Sequence, residues 1–211
     1  MKFRARTPLR AIALLGLVWL SACAEPEPPS GERDEAGVYT AVLREYVVNA
    51  GRVGPELAWD YLLVADHSAW SAPAPEDGEA PRRMSDSYAE SSELLRERFF
   101  MLRRDCLDDF MAQESVPKPL PPIELDFPLR WLPQIPPEER RAFFWEGFEA
   151  EHPGNIFITH FSPIGFDPSG DQALLTVTAS CGSLCSSSDF VLLERGAQGW
   201  HIVARFTYGV S

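Results

Sequence analysis

The amino-acid sequence predicts an α+β domain, and three observations support this fold class. Apolar residues recur at helical spacing in the first half, and the last third alternates apolar and polar residues. Turn-forming residues separate four such alternating segments. We therefore expect a C-terminal four-stranded antiparallel meander packed against N-terminal and central helices, with the helices on one face. At 211 residues, one domain with a hydrophobic core is expected.

Two helices are predicted in the first half. The first runs from about Glu35 to Val48 and is expected to end at Asn49-Ala50-Gly51. The second runs from about Asp86 to Gln113. Cys106 lies within its apolar stripe, so we expect a buried free thiol that packs as a small hydrophobic residue. The stripes are Val38, Val42, Leu43, Tyr46 and Val47 in the first helix, and Leu95, Phe99, Leu102, Cys106 and Phe110 in the second.

The segments around the second helix are shorter. The apolar run Tyr61 to Ala65 is typical of a buried strand, and a polar loop is expected from about Ser71 to Arg83. The stretch Val116 to Pro137 is dense in proline. Its alternating apolar residues predict an edge strand, where proline is tolerated. These residues are Ile123, Leu125 and Phe127.

A short third helix is predicted to begin at Pro136-Pro137-Glu138-Glu139. Proline is favoured in the first helical turn, and acidic residues suit its positive end. Phe143, Phe144 and Phe148 form its expected buried face, and Trp145 falls off that face. Trp145 then caps the core or covers the Pro-rich segment, or, with Phe148, it lines a hydrophobic groove for a partner or small ligand.

The last third contains the four predicted strands. The final strand places apolar side chains at every second position, which predicts that they share one face. The strands are Asn155 to Phe161, Gln172 to Ser180, Asp189 to Arg195 and Gly199 to Val210, and the shared face of the last is Trp200, Ile202, Ala204, Phe206 and Tyr208.

The first residues have the layout of an export signal. Four basic residues lead to an uncharged apolar run of ten residues, Ala11 to Leu20, and small residues then precede Cys23. This run is too short to span a bilayer, which takes about 20 residues. On this layout alone, an ordinary signal peptide or a retained anchor helix stay open as alternatives.

The segment Leu20-Ser21-Ala22-Cys23 resembles the lipobox of bacterial lipoproteins. The resemblance implies cleavage before Cys23 and lipidation of that cysteine by a diacylglyceryl thioether and, usually, an N-acyl chain. Two or more chains hold a protein firmly to a membrane. Because Ala24 rather than Asp follows, the sorting rule of diderm bacteria implies delivery to the outer membrane.

Three segments are therefore expected: a lipoprotein signal peptide (1–22), a lipidated cysteine with a disordered Pro- and Glu-rich tether (23–34), and one globular domain (35–211). The first 22 residues carry four basic and no acidic residues, so their removal leaves 189 residues and changes the formal charge from −12 to −16. That acidity argues against nucleic-acid binding and against electrostatic adhesion to anionic lipid.

Cys181 and Cys185 flank a three-residue segment between two predicted strands. Cross-strand Cα distances of about 4.5 to 5.5 Å fit a disulfide, and export to an oxidising compartment favours one. The short loop limits its stabilisation to about 2 kcal/mol. A free pair, a redox pair and a zinc site are the alternatives. Redox pairs usually have two intervening residues, and zinc needs two further ligands.

Catalytic motifs are missing from the sequence. Asp66-His67-Ser68 has the residue types of a hydrolase triad, but adjacent residues rarely face one another as a triad requires. Ser186-Ser187-Ser188 is typical of a solvated loop, and none of the histidines lies in a His-Glu-x-x-His motif. We therefore expect no cofactor or metal. The histidines are His67, His152, His160 and His201.

A set of aromatic, glycine and cysteine positions, with their neighbours, lies in the last part of the chain. It consists of Trp145, Phe148, His152-Pro153-Gly154-Asn155, Phe161 to Phe166, Gln172-Ala173-Leu174, Cys181-Gly182, Val191 to Glu194 and Gly199-Trp200. With these residues, the chain from Trp145 to the C-terminus resembles a group of uncharacterised exported bacterial proteins. The group has no established activity, so the resemblance implies an exported α+β domain and transfers no catalytic residue. Ser186 to Ser188 replace the glycine that often follows the Cys-Gly loop in that group.

These features predict a membrane-anchored envelope lipoprotein without enzymatic activity, whose domain binds an envelope protein partner or serves a structural role. A periplasmic hydrolase with dispersed site residues is the first alternative, which a deep pocket with convergent histidines and carboxylates would favour. A small-ligand carrier is the second, which a sealed core would exclude.

Overall fold

The computed structural model describes residues 33–53, 60–68, 88, 91–114, 116–133, 144–153, 157–182 and 185–210. The export segment, most of the tether, the loop predicted at 71–83 and the predicted helix start at Pro136 lie outside these residues. The described residues form helices and a mixed sheet, which confirms the α+β class. The helices are α1 (Glu35–Val53), α2 (Ser91–Arg98), α3 (Arg104–Ala112) and α4 (Phe144–Glu151).

Helix α1 begins where the sequence predicts and continues beyond its predicted end. Asp34 caps it, because its carboxylate accepts a hydrogen bond of 2.9 Å from the backbone amide of Gly37. The helix runs to Val53, so the expected end at Asn49-Ala50-Gly51 is wrong. A glycine inside a helix costs only about 1 kcal/mol relative to alanine, and Gly51 is accommodated at this helical position.

The second predicted helix is two helices, α2 and α3, separated by a turn at Phe99–Arg103. The buried side chain of Gln172 holds this turn: its amide nitrogen donates to the Met101 carbonyl at 2.9 Å, and its oxygen accepts from the Arg103 amide at 2.7 Å. The apolar stripe stays buried on both sides of the break. Helical spacing alone therefore gave no sign of the interruption.

Within the described residues, the main sheet has seven strands of mixed direction. Its order is β4-β1-β5-β7-β8-β9, with β6 also paired to β7. Strand β1 is parallel to β4 and β5, and the other pairs are antiparallel. The strands are β1 (Leu62–Ala65), β4 (Leu129–Leu132), β5 (Ile158–Phe161), β6 (Gly165–Phe166), β7 (Gln172–Gly182), β8 (Cys185–Gly196) and β9 (Gly199–Val210); β2 (His67–Ser68) and β3 (Lys118–Pro119) pair separately.

The edge strand predicted around Ile123, Leu125 and Phe127 lies elsewhere. These residues belong to no strand, Phe127 lies in a bend, and the strand of this segment at the edge of the sheet is β4. Their alternating side chains are half-buried against the core. The alternation therefore indicates that one side of this segment is buried. The neighbouring prolines have no backbone N–H to donate to another strand, so the segment does not join the sheet.

Helices cover both faces of the sheet, so the expectation of helices on one face is wrong. Successive side chains of β7 and β8 point to opposite faces and join two different clusters. The first cluster packs against α1, and the second packs against α2 and α3. Their members include Leu175, Val177, Val191 and Leu193 with Val38, Val42 and Leu43 in the first, and Leu174, Phe190 and Leu192 with Leu95, Leu107 and Phe110 in the second.

Strand β9 does not keep one apolar face along its length. Leu192 pairs with Ala204 whereas Leu193 pairs with Ile202, so Val203 is an extra residue on β9. Such a bulge reverses the face that the following side chains occupy. The single apolar face predicted for this strand is therefore wrong. Trp200 and Ile202 pack on the α1 side, and Ala204, Phe206 and Tyr208 pack on the α2 and α3 side.

Candidate functional site

The two cysteines of the β7–β8 hairpin stand at disulfide distance, as their spacing predicts. The Cα atoms of Cys181 and Cys185 are 5.1 Å apart. Gly182 pairs with Cys185 at the end of the ladder, so the cysteines close the hairpin rather than open a helix. Redox motifs that activate a thiolate place it at a helix N-terminus, which this arrangement lacks. This geometry suits a structural disulfide that links the two strands of the hairpin.

The serine run after Cys185 belongs to β8, so its interpretation as a solvated loop is wrong. Ser186 pairs with Ser180 and Ser188 pairs with Thr178. The Thr178 and Ser188 hydroxyl oxygens are 2.9 Å apart and hydrogen-bonded. His160 of β5 is the next neighbour of Thr178 in the sheet. A polar row therefore crosses the sheet close to the disulfide.

Of the two residues proposed for a binding surface, Phe148 lies in the core. It is 4% exposed and packs against Leu63 and Ile158. The side chain of Trp145 lies outside the described part of the structure. Phe148 therefore fixes α4 against the sheet, and a groove at Trp145 stays a prediction.

A tyrosine–histidine pair that the sequence analysis missed joins β1 to the end of α4. The Tyr61 hydroxyl lies 3.0 Å from His152 Nδ1, and the Arg130 guanidinium lies 3.8 Å from the centre of the Tyr61 ring. The His152 ring also contacts the Phe148 ring, with centroids 4.8 Å apart and the ring planes tilted by 46°. Tyr61 and His152 are 91 residues apart, so no local pattern connects them. Their contacts fix ring positions beside β4.

The three consecutive residues with triad chemistry do not form a triad. His67 Nδ1 contacts the Asp66 carboxylate at 2.5 Å. Ser68 faces the interior, is 3% exposed and donates to the Lys118 carbonyl at 3.3 Å. Neighbouring strand residues point to opposite sides, so this serine does not face the His67 ring. The arrangement lacks the nucleophile that a hydrolase needs at this histidine.

Arg33 and Asp34, at the start of the described chain, make contacts at one end of the sheet. The Asp34 carboxylate accepts a hydrogen bond of 3.1 Å from the Trp200 indole and lies 3.5 Å from the Arg195 guanidinium. Arg33 pairs with Asp109 of α3 at 2.9 Å. We call this the Asp34 end, defined by Arg33, Asp34, Asp167, Gln172 and Trp200, and the opposite end, defined by Cys181 and Cys185, the Cys181 end.

Asp167 is the most densely bonded group at the Asp34 end. Its side chain is 4% exposed and accepts hydrogen bonds from Arg103, Ser169 and the backbone amides of Asp171 and Gln172. Burial raises the pKa of this carboxyl, but the hydrogen bonds outweigh burial and hold the pKa below its ordinary value. Asp167 therefore stays ionised as a structural anion that fastens the turn before β7.

Cys106 is the buried free thiol that the sequence predicts. It is 0% exposed, and its sulfur lies 3.5 Å from the Gly165 carbonyl oxygen. Burial raises the pKa of the thiol, and the nearby Asp167 and Asp109 raise it further. A thiol kept protonated and enclosed is a poor nucleophile and metal ligand.

Within the described ranges, no group of three or more His, Cys, Asp and Glu side chains is placed to hold a metal ion. None of the helices in the described part of the chain is long and apolar enough to cross a membrane. Comparison with protein families, with curated proteins and with solved structures finds no match to this chain.

Proposed function

We propose that the protein is an exported lipoprotein of the bacterial cell envelope, anchored by a lipid on Cys23. Its acidic domain serves as a partner-binding or structural module rather than an enzyme. The export segment ending in Leu20-Ser21-Ala22-Cys23 is the observation that carries this proposal. Ala24 after the lipidated cysteine favours the outer membrane as destination.

The cysteines of the folded domain support export. Cys181 and Cys185 stand at disulfide distance, and disulfides persist in oxidising compartments such as the periplasm. Cys106 is enclosed in the core, so it does not compete for either partner. This distribution suits a chain that folds outside the cytoplasm.

The start of the folded domain supports a tethered arrangement. Arg33 and Asp34 already contact α3, β8 and β9. The Pro- and Glu-rich segment between Cys23 and Arg33 is then short, about ten residues. Such a tether keeps the domain close to the membrane that holds the lipid.

In the proposed partner-binding role, the C-terminal four-stranded antiparallel meander is the scaffold that supports α4. Phe148 seats α4 on this scaffold, and Trp145 on the same helix supplies contact to an envelope protein. In-cell crosslinking of the lipidated protein, followed by mass spectrometry, should recover that partner. Trp145→Ala should weaken the crosslink, and equal recovery of the partner with this variant would remove Trp145 from the interface.

The anchoring experiment is the replacement of the lipidated cysteine. Cys23→Ser should remove the acyl mass from the mature protein and move it from the membrane fraction to the soluble fraction. Ser21→Ala is the matched control, because it keeps a small residue in the lipobox and should be processed normally. An unchanged mature mass and membrane fraction in the Cys23→Ser variant would refute the proposal.

A further inference from the structure

Two exposed apolar side chains occupy the turn between α2 and α3. Phe100 is 88% exposed and Met101 is 41% exposed. Isolated apolar residues are common on protein surfaces and need no explanation by themselves. The meaning of this pair therefore depends on how the turn is held, what flanks it and where it lies.

The turn is held firmly in place. Gln172, which is 0% exposed, bonds the Met101 carbonyl and the Arg103 amide at 2.9 and 2.7 Å. Phe99 is buried, and its carbonyl accepts from the Leu102 amide at 2.9 Å. Gln172 thus fixes the backbone after Phe100 to β7, and the buried Phe99 side chain packs in the cluster with residues of β7 and β8, so Phe100 projects from a turn that is held on both sides.

Arginines flank the apolar pair. Arg98 precedes it, and Arg103 and Arg104 follow it with side chains 48% and 81% exposed. Aromatic and apolar side chains bordered by arginine are typical of protein segments at the membrane interface, where arginine stems lie along apolar surface and their heads reach water. Arg103 is paired with the buried Asp167, and Asp108 lies 3.5 Å from Arg104, so both charges are balanced locally. The apolar side chains, rather than net charge, supply the attraction.

The turn lies at the Asp34 end, where the chain arrives from Cys23. Gln172 joins the turn to β7, and Arg33 joins the domain's first residues to α3. Nine residues lie between Cys23 and Arg33, so the segment that joins them reaches at most about 35 Å when fully extended. The tether therefore joins the domain at the same end at which the turn lies.

We propose that the turn Phe99–Arg103 is a membrane-contact element that places Phe100 and Met101 in the interfacial layer of the bilayer holding the Cys23 lipid. This inference rests on the proposed lipid anchor. It orients the domain: the Asp34 end faces the bilayer, and the Cys181 end lies roughly 30 Å farther away along the β7–β8 hairpin. The Cys181 end and its polar row are then presented to the periplasm or the exterior.

The test uses the lipidated mature chain with one reporter cysteine. Phe100→Cys supplies the reporter site, since Cys106 is buried and Cys181 and Cys185 are at disulfide distance. Val210→Cys is the matched control, because Val210 is apolar, 80% exposed and paired with Ser187 near the Cys181 end. Each labelled protein is reconstituted in phosphatidylethanolamine–phosphatidylglycerol vesicles that contain a lipid-phase fluorescence quencher.

The label at position 100 should be quenched at least about twofold more strongly than the label at position 210, because interfacial apolar side chains lie about 5–10 Å into the headgroup and acyl boundary. Equal quenching at the two positions would overturn the proposal. So would a position-100 label shielded from water-soluble quenchers but not reached by the lipid-phase quencher, which would indicate a protein covering the turn.

Failure of the anchor is distinguished by mass spectrometry of the same preparations. A mature chain without acyl mass on Cys23 would refute the proposed lipoprotein. The two labels in a Cys23→Ser chain that is attached to the same vesicles through an N-terminal histidine tag and a nickel-chelating lipid then decide the membrane contact. Stronger quenching at position 100 supports the contact without the anchor, and equal quenching rejects it.

Discussion

The two ends of the β7–β8 hairpin are held by different kinds of interaction. At the Asp34 end, side chains distant in sequence meet: Asp34 bonds Trp200 across 166 residues, and Arg103 bonds Asp167 across 64. At the Cys181 end, two cysteines only four residues apart close the strands. The first arrangement depends on the whole topology, whereas the second depends on the hairpin alone.

This difference has an energetic consequence. Removing a group that satisfies several buried donors leaves each of them without a partner, which is more costly than losing a single exposed contact. Removing a disulfide across a short loop mainly returns a small amount of entropy to the unfolded chain. We therefore expect the Asp34 end to be the more sensitive of the two.

The largest effect is expected at Asp167. Asp167→Ala should lower the free energy of unfolding by about 3 kcal/mol, because it strands the amides of Asp171 and Gln172 and the Arg103 guanidinium. Urea unfolding measures the loss. Asp108→Ala, which removes an exposed ion pair with Arg104, is the control and should change stability by less than about 0.5 kcal/mol. Equal losses in the two variants would contradict this ranking.

The same carboxyl should contribute to the pH dependence of stability. The folded-state pKa of Asp167 lies below its ordinary value, so its ionised form contributes stability above the unfolded pKa of about 3.9. That contribution is lost as the pH falls through the folded pKa. The unfolding free energy of the wild-type protein should thus decrease below about pH 4, and Asp167→Asn should show a shallower decrease there. Parallel curves for the two proteins would exclude Asp167 as the titrating group.

Features of the fold that depend on local sequence were mostly predicted correctly, and features that depend on distant residues were missed. The start of α1, the buried Cys106 and the Cys181–Cys185 pair are confirmed, since each depends on spacing within one segment. The turn between α2 and α3 was missed because Gln172, a residue of β7, holds it. Apolar spacing records which side is buried, and it continues unchanged across the break.

The face change in β9 and the contacts around Tyr61 were missed for a related reason. A bulge at Val203 is visible only in the pairing of β8 with β9, and period-two alternation cannot reveal it. Tyr61 and His152 meet because β1 and α4 pack together. The lipidation signal at Cys23, in contrast, is local in sequence and is a prediction independent of the fold.

An intermediate effect is expected at the Cys181 end. Replacing both Cys181 and Cys185 by serine should lower the free energy of unfolding by about 2 kcal/mol. Reductant should lower the stability of the wild-type protein by the same amount and leave the double variant unchanged. If reductant has no effect on the wild-type protein, or if both thiols are alkylated without it, the cysteines are not bonded.

The smallest effect is expected at Asp34. Its substitution tests whether the loss of a contact at the Asp34 end destabilises that end alone. Asp34→Ala removes the cap of α1 and the acceptor of the Trp200 indole, so a loss of about 1 kcal/mol is expected. Asp34→Asn keeps the acceptor for Gly37 but places an NH2 group against the Trp200 indole and Arg195, so it should recover only about half of this loss. Amide hydrogen exchange should accelerate at Gly37 in the alanine variant and stay unchanged at Ser186. Equal acceleration at both amides would mean that the two ends of the hairpin open together, and the division between them would not hold.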